Sequence, residues 1–395
     1  MKQIFKLNGI TIALFLLLLY AAQPVVSSYD QVLLYISIPG SAFFSYISIK
    51  DKRLSKYMKL LLLLFIWMFV TSFFSYDFNV SSIWLRRLLA VFLLCFSIHQ
   101  MAKYDYYIPW IYLIWVVSLV SFLFYAQAQI NINQIDYTTN RMTDANLNAN
   151  TLGYYTFFST YIIFYWGILP GKLKKLRMLF FLLMIPLTFY IALITASRQI
   201  LLIQVPLIFI LLYIRYFNKT SMVKRFLFIF FVLILMSYID EIREVFESSF
   251  LYQRFQIGIE EEVRTSLMHD GLKTGIDNFI TGVGIGCFGF YNYGHDTFSH
   301  NSFIELFATT GFIGFLLYLY ILFSFIFTQF RRYKKYKNSN YLLFLCVGVF
   351  YILYNMLYVF YTDPWLMAFF ILLTSHAEIT YKKEAGQIYF RNSVK

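Results

Sequence analysis

Residues 282–314 read GVGIGCFGFYNYGHDTFSHNSFIELFATTGFIG, and the reading of this stretch decides the fold. It begins as a polar, glycine-rich loop and runs without interruption into an apolar segment. His300 and Asn301 stand at the junction, where a loop meets the start of a membrane span. Gly284, Gly286 and Gly289 spell GxGxxG. A dinucleotide loop needs a strand–turn–helix unit around those glycines; here they precede a membrane span, so that reading is set aside. The glycines instead let the backbone approach a ligand or another helix closely.

The composition outside this stretch agrees with a membrane setting. Hydrophobic residues make up 60% of the 395 residues and charged residues 13%, about half the charged share of a soluble domain. Apolar runs recur at 8–26, 31–49, 58–76, 83–101, 107–127, 152–169, 178–195, 199–215, 226–240, 303–327, 341–361 and 364–379. Each approaches the ~20 residues a tilted helix needs to span a bilayer. The first is read as an uncleaved span, because no small-x-small site follows its long apolar run. The expected fold is an all-α polytopic membrane protein of about twelve transmembrane helices. One large extracytoplasmic loop, containing short amphipathic helices, interrupts them. The chain then divides as spans one to nine (1–240), the loop (241–302), and spans ten to twelve with a tail (303–395), all one integral membrane domain.

The net charge of +13 is a topology signal rather than a nucleic-acid footprint. In this span order 25 of the 33 Lys and Arg fall on the side of the N-terminus, and 16 of the 20 Asp and Glu fall on the other. The positive-inside rule places both termini in the cytoplasm. Six basic residues remain on the outer face: Arg141, Arg198, Arg243, Arg254, Arg264 and Lys273. Arg86 and Arg87 lie inside the fourth span. The three cysteines have no paired spacing, which argues against a disulfide framework or a metal cluster.

An arginine in or beside a span is costly and usually has a partner or a function. Arg198, in the TASRQ turn, is either a lipid-phosphate anchor or a ligand for an anion. Arg86 and Arg87 pair with an acidic residue such as Asp77, or snorkel, or serve substrate. Arg264 follows Glu260, Glu261 and Glu262 and is either their helical salt-bridge partner or a site residue. His300 offers a group that titrates near neutral pH, with Asn301 and Glu305 beside it. His295 and His300 are five apart, without a third ligand, so no metal is expected.

Taken together, Gly282-Val-Gly-Ile-Gly286, His300-Asn-Ser-Phe-Ile-Glu305 and Gly311-Phe-Ile-Gly314 resemble the O-antigen ligase and surface-polysaccharide polymerase family. The TASRQ turn and Asn148-Ala-Asn-Thr-Leu-Gly153, with Arg141 upstream, are similar to further motifs of that family. Two departures are the missing proline before the glycines, where Phe279-Ile280 stand, and the missing Trp after the loop arginine. Arg254 and Arg243 therefore remain alternatives to Arg264. The resemblance implies a bacterial glycosyltransferase of the cytoplasmic membrane. Its donor is a glycan on polyprenyl pyrophosphate, its acceptor a sugar hydroxyl at the outer face, and it needs no cofactor or metal.

On that reading His300, Arg198 and Arg264 are catalytic. Arg86, Arg87, Arg141, Asn150, Asn301, Glu305, Tyr291 and Tyr293 bind substrate. Partners are the lipid-linked oligosaccharide and membrane lipid, with a chain-length regulator and a flippase as further candidates and no nucleic acid. The acceptor is another lipid-linked repeat unit in a polymerase, and lipid A core or a protein in a ligase. The modest loop, and a joint richness in Phe (46), Tyr (34), Ile and Lys that marks a variable, AT-rich locus, incline the reading to a polymerase. A transporter or flippase for the same lipid is the alternative from another class. It would line its path with cations through the membrane, whereas these candidates cluster at one face.

Overall fold

The computed structural model describes residues 2–22, 33–129, 149–169, 173–195, 200–217 and 263–386. Helices account for the regular structure, and no strand occurs among the described residues. In chain order they are α1 (Lys2–Ala21), α2 (Ile38–Ser48), α3 (Lys56–Ser72), α4 (Phe78–Met101), α5 (Ile108–Gln129), α6 (Ala149–Ile168) and α7 (Lys174–Thr195). There follow α8 (Val205–Leu212), α9 (Val263–Asp277), α10 (Phe288–Tyr293), α11 (Ser302–Tyr336), α12 (Ser339–Asn355) and α13 (Pro364–Glu384). Helical backbone occupies most of the described part of each expected span, with 73–76 and 356–361 non-helical; 23–26, 31–32, 199 and 226–240 lie outside the described residues. By length and composition, Phe78–Met101 and Ser302–Tyr336 are long and apolar enough to cross a membrane.

Polar caps set the starts of several of these helices. The Asp77 carboxylate accepts the N–H groups of Asn79 (2.8 Å) and Val80 (3.2 Å). Asn301 does the same for Phe303 (2.9 Å) and Ile304 (3.2 Å). Asp363 accepts from Leu366 at 3.0 Å, with Pro364 in the first turn. Such a cap satisfies donors that the helix itself leaves open, and each contributes about 1 kcal/mol.

The chain forms two compact units: Met1–Ile114 with Glu260–Lys395, and Trp115–Ile259. This grouping cuts across the expected division along the chain. In the second unit α6 and α7 meet through Phe164 and Phe181, whose ring centroids are 5.2 Å apart. The Arg177 guanidinium donates to the Leu169 carbonyl at 2.6 Å.

In the first unit, α11 is broken. Gly311 has φ +68° and ψ −171°, so residues 302–310 form a short leg and 312–336 a long one. At 1.5 Å per residue the long leg spans about 37 Å, enough for a hydrocarbon core of about 30 Å. The expected span 303–327 straddles the break.

A break exposes carbonyls, and each here finds a donor. The N–H groups of Val283 and Gly284 donate to Ala308 O (2.9 Å) and Thr309 O (3.0 Å). The Trp67 indole N–H donates to Thr310 O at 2.9 Å. Phe312 N–H, the first donor past the break, is taken by Phe279 O at 2.8 Å. The opposite end of the long leg is held by an ion pair of Arg332 with Glu378 at 2.6 Å.

Only glycine fits at 311. A Cβ there would lie 2.2 Å from the Ile280 carbonyl oxygen, which is backbone and cannot swing aside. Gly294 also has positive φ (+73°), but a Cβ there would meet nothing within 4 Å. Gly294→Ala is therefore expected to cost only the left-handed penalty of about 1–2 kcal/mol. Gly311→Ala adds a backbone clash and should lower the melting temperature in detergent at least twice as far. Equal shifts for the two variants would show that the backbone seam does not constrain α11.

Candidate active site

The junction at residue 300 is assembled from three directions. From below, α9 lies against the short leg of α11. Gly271 and Gly275 face it: a Cβ at Gly271 would meet Ile304 at 2.6 Å, and one at Gly275 would meet Phe307 at 2.4 Å. Leu267 joins Phe288 and Ala308 in a small buried cluster at the same contact. Two glycines four residues apart let helix backbones close in, a signal present in GLKTG that the sequence reading passed over.

From one side, the glycine loop is threaded against α4. Gly284 (φ +98°) leaves no room for a Cβ beside Ser75, and Gly286 (φ +74°) none beside Trp84. The Ser81 hydroxyl donates to Ile285 O at 3.0 Å, and Tyr76 N–H donates to Val283 O at 2.8 Å. These glycines serve close approach to protein backbone and rings.

At the junction itself, His300 has φ +57°, uncommon for a residue with a side chain. Its two neighbours are pinned. Ser299 N–H donates to the Glu305 carboxylate at 2.7 Å, and Glu305 is 1% exposed. Asn301 caps α11, as above. Glu305 and Asn301 thus hold the backbone on either side of His300. Burial, and then the positive charge of Arg264, push the imidazole down to about 4, so it is neutral at pH 7. Arg264 is carried in the first turn of α9 and is partly exposed. It makes no ion pair among the described residues; Glu260, Glu261 and Glu262 lie outside them.

The remaining expected residues fall as follows. Arg87 lies over the Trp84 ring at 4.7 Å, and Trp84 meets Phe298 edge-on at 5.5 Å, two residues before His300. Arg86 is exposed, with Nε 3.4 Å from Ser82 O. Asp77 caps α4 and pairs with neither. Tyr291 is 41% and Tyr293 39% exposed, Tyr291 edge-on to Tyr76 at 5.4 Å. Arg198, Arg141, Arg243 and Arg254 lie outside the described residues. Asn150 stands in the first turn of α6, in the other compact unit. Trp84, Phe298 and Ser299 were missed in the sequence. Trp84 stands three residues before Arg87, one helical turn away, and that spacing was the available signal. No group of three His, Cys, Asp or Glu able to hold a metal ion occurs among the described residues.

The fold and the site describe an α-helical membrane protein with its polar chemistry gathered at a broken-helix junction. Residues 179–319 match the family model described as O-antigen ligase, which supports the O-antigen ligase/polymerase family for this chain. That family comprises bacterial membrane proteins, glycosyltransferase-like enzymes that act on lipid-linked glycans. The matched region contains Arg198, Arg264, the glycine loop and His300, and leaves Arg86, Arg87, Arg141 and Asn150 outside. No curated protein matches the chain.

The pairing of Arg264 with His300 has a measurable sign. Removing a positive neighbour favours the protonated ring, so Arg264→Gln should raise the titration midpoint of His300 above about 4. Histidine-labelled protein followed by NMR, with His300→Gln to assign the signal, checks this. An unchanged or lower midpoint would remove Arg264 from the surroundings of the ring.

Proposed function

We propose that this protein is a surface-polysaccharide polymerase of the bacterial cytoplasmic membrane. It transfers a growing O-antigen, capsule or exopolysaccharide chain from polyprenyl pyrophosphate to a hydroxyl of another lipid-linked repeat unit. The chain crosses the membrane twelve times with both termini cytoplasmic, and the reaction takes place at the outer face. The observation that carries this reading is a partly buried His300, kept neutral by burial and by the charge of Arg264, at the end of a pinned loop.

The chemistry matches those two groups. The acceptor hydroxyl gives its proton to the imidazole as its oxygen forms a bond to the anomeric carbon. The bond from that carbon to the pyrophosphate oxygen breaks, and the leaving group takes the electron pair. Guanidinium forks fit phosphate oxygens, so Arg264 and Arg198 stabilise the departing charge without a metal. A neutral base is required, and His300 is neutral over the working range. Arg86, Arg87, Arg141 and Asn150 are carried as substrate contacts. Asn301 and Glu305 act by holding the backbone around His300.

Reconstitution with a lipid-linked repeat unit tests the proposal. Wild type should lengthen the lipid-linked glycan without metal or nucleotide sugar. His300→Ala should slow transfer about 100-fold or more. Arg264→Ala and Arg198→Ala should each slow it about 100-fold. Transfer to lipid A core or protein instead marks a ligase, and movement of the intact lipid across the bilayer marks a transporter. Normal polymerisation by all three variants would overturn the site.

A further inference from the structure

Next to the junction, α9 and α10 carry a second cluster, of which the sequence reading marked Tyr293 alone as a substrate contact and to which the transfer step assigns no role. The Tyr293 hydroxyl donates to Oδ2 of Asp270. The other carboxylate oxygen, Oδ1, lies 3.7 Å from the exposed His269 ring. The His295 ring stacks on Tyr293, with centroids 6.0 Å apart and planes at 27°.

The backbone holds this cluster in place. Gly294 closes α10 in the left-handed region, and the chain turns back so that residues 295 and 297 press on Gly289, where no Cβ fits. Asn292, between the two tyrosines, donates to Thr274 Oγ1 and to Phe288 O, both at 3.0 Å, which joins α10 to α9. The hydroxyl of Tyr293 is pushed up to about 12 by burial and by Asp270, so it stays protonated and keeps its bond to the carboxylate. Tyr293 is thus a ring fixed in direction, with a carboxylate anchored at its edge. Both are partly open to solvent.

We infer that Asp270, Tyr293 and His295 form a recognition site for a neutral sugar residue of the glycan. The inference rests on the lipid-linked glycan reading above and deepens it. A pyranose has an apolar face of C–H groups and an equator of hydroxyl donors. The fixed ring takes the face, and the open lone pairs of Asp270 accept neighbouring hydroxyls, since an ionised carboxylate is acceptor-only. The other ligand chemistries fit poorly. A phosphate or a uronic acid is repelled by Asp270, and an acyl chain gains nothing from a carboxylate at the ring edge. Preorganisation matters here, because a ring already held by its hydroxyl loses little freedom when the sugar binds. Asp270 follows Arg264 by six residues on α9, a rise of about 9 Å along the helix axis. Six residues also turn about 240° around the axis, so α9 carries the two groups on different faces of one rigid element.

The test is a binding measurement that does not require transfer. The probe is the repeat-unit oligosaccharide freed of its lipid by mild acid, titrated by calorimetry into the full-length protein in detergent. Asp270→Asn and Tyr293→Ala should each lose about tenfold or more in affinity, the scale of one hydrogen bond to a charged group. Tyr293→Phe keeps the ring, so it should bind more tightly than Tyr293→Ala at an unchanged melting temperature. Unchanged affinity in both Asp270→Asn and Tyr293→Ala overturns the inference. So does tighter binding of a uronic-acid oligosaccharide, or the absence of any binding by wild type. So too does a co-purifying protein lost in these variants while oligosaccharide affinity holds. Binding through Asp270 and Tyr293 in a protein that transfers nothing leaves this site standing and sinks the polymerase reading. Transfer with undiminished affinity in the variants does the reverse.

Discussion

The break in α11 at Gly311 is the constraint on which the first unit depends. A helix that stops leaves carbonyls without partners, and in a bilayer water is not there to take them. Here the vacated carbonyls of Ala308, Thr309 and Thr310 are taken by Val283, Gly284 and the Trp67 indole. The glycine loop is therefore bound to the helix as a strand-like seam. Gly282, Gly284 and Gly286 all have positive φ and are buried, so the seam holds only while those positions lack side chains. The loop, the short leg and the N-terminal turns of α4 become one body.

That body fixes His300. A residue with a side chain at φ +57° is strained by about 1 kcal/mol, and such strain persists only where the surroundings over-determine it. Glu305 grips the residue before it and Asn301 caps the helix after it. Both side chains were expected to touch substrate, and the hydrogen bonds give each a prior structural commitment. The same packing that buries the imidazole keeps it neutral, and Arg264 adds to that effect. A base and an anion-binding group are thus mutually consistent: the cation that would hold a leaving group also keeps its neighbour unprotonated.

Much of this was legible in the residues. Apolar runs and their lengths marked the helices, whereas Asp77, read only as an ion-pair partner, and Asp363 emerged as helix caps only in the structure. The run from Gly282 to Gly314 marked a loop passing into a helix. The break inside that helix was not legible, because GFIG in an apolar run reads equally as a small-residue packing face. Its meaning depends on Val283, Gly284 and Phe279, which are distant in sequence and supply the missing partners. Trp84 looked like one more apolar residue of a span until Gly286 and Phe298 were brought against it.

The sequence by itself determined the class of protein, the helical elements and the residue types able to carry charge. These follow from local composition and from a solvent that demands satisfied backbone. Only the tertiary structure decided which of those residues meet. Hydrogen bonds across the Gly311 break join the glycine loop to α11, and Gly271 and Gly275 bring α9, which carries Arg264, against its short leg. They also turned the glycines from a ligand loop into a seam. Those contacts link positions 25 residues apart and more, and local sequence patterns do not specify which distant donors will meet which vacated carbonyls.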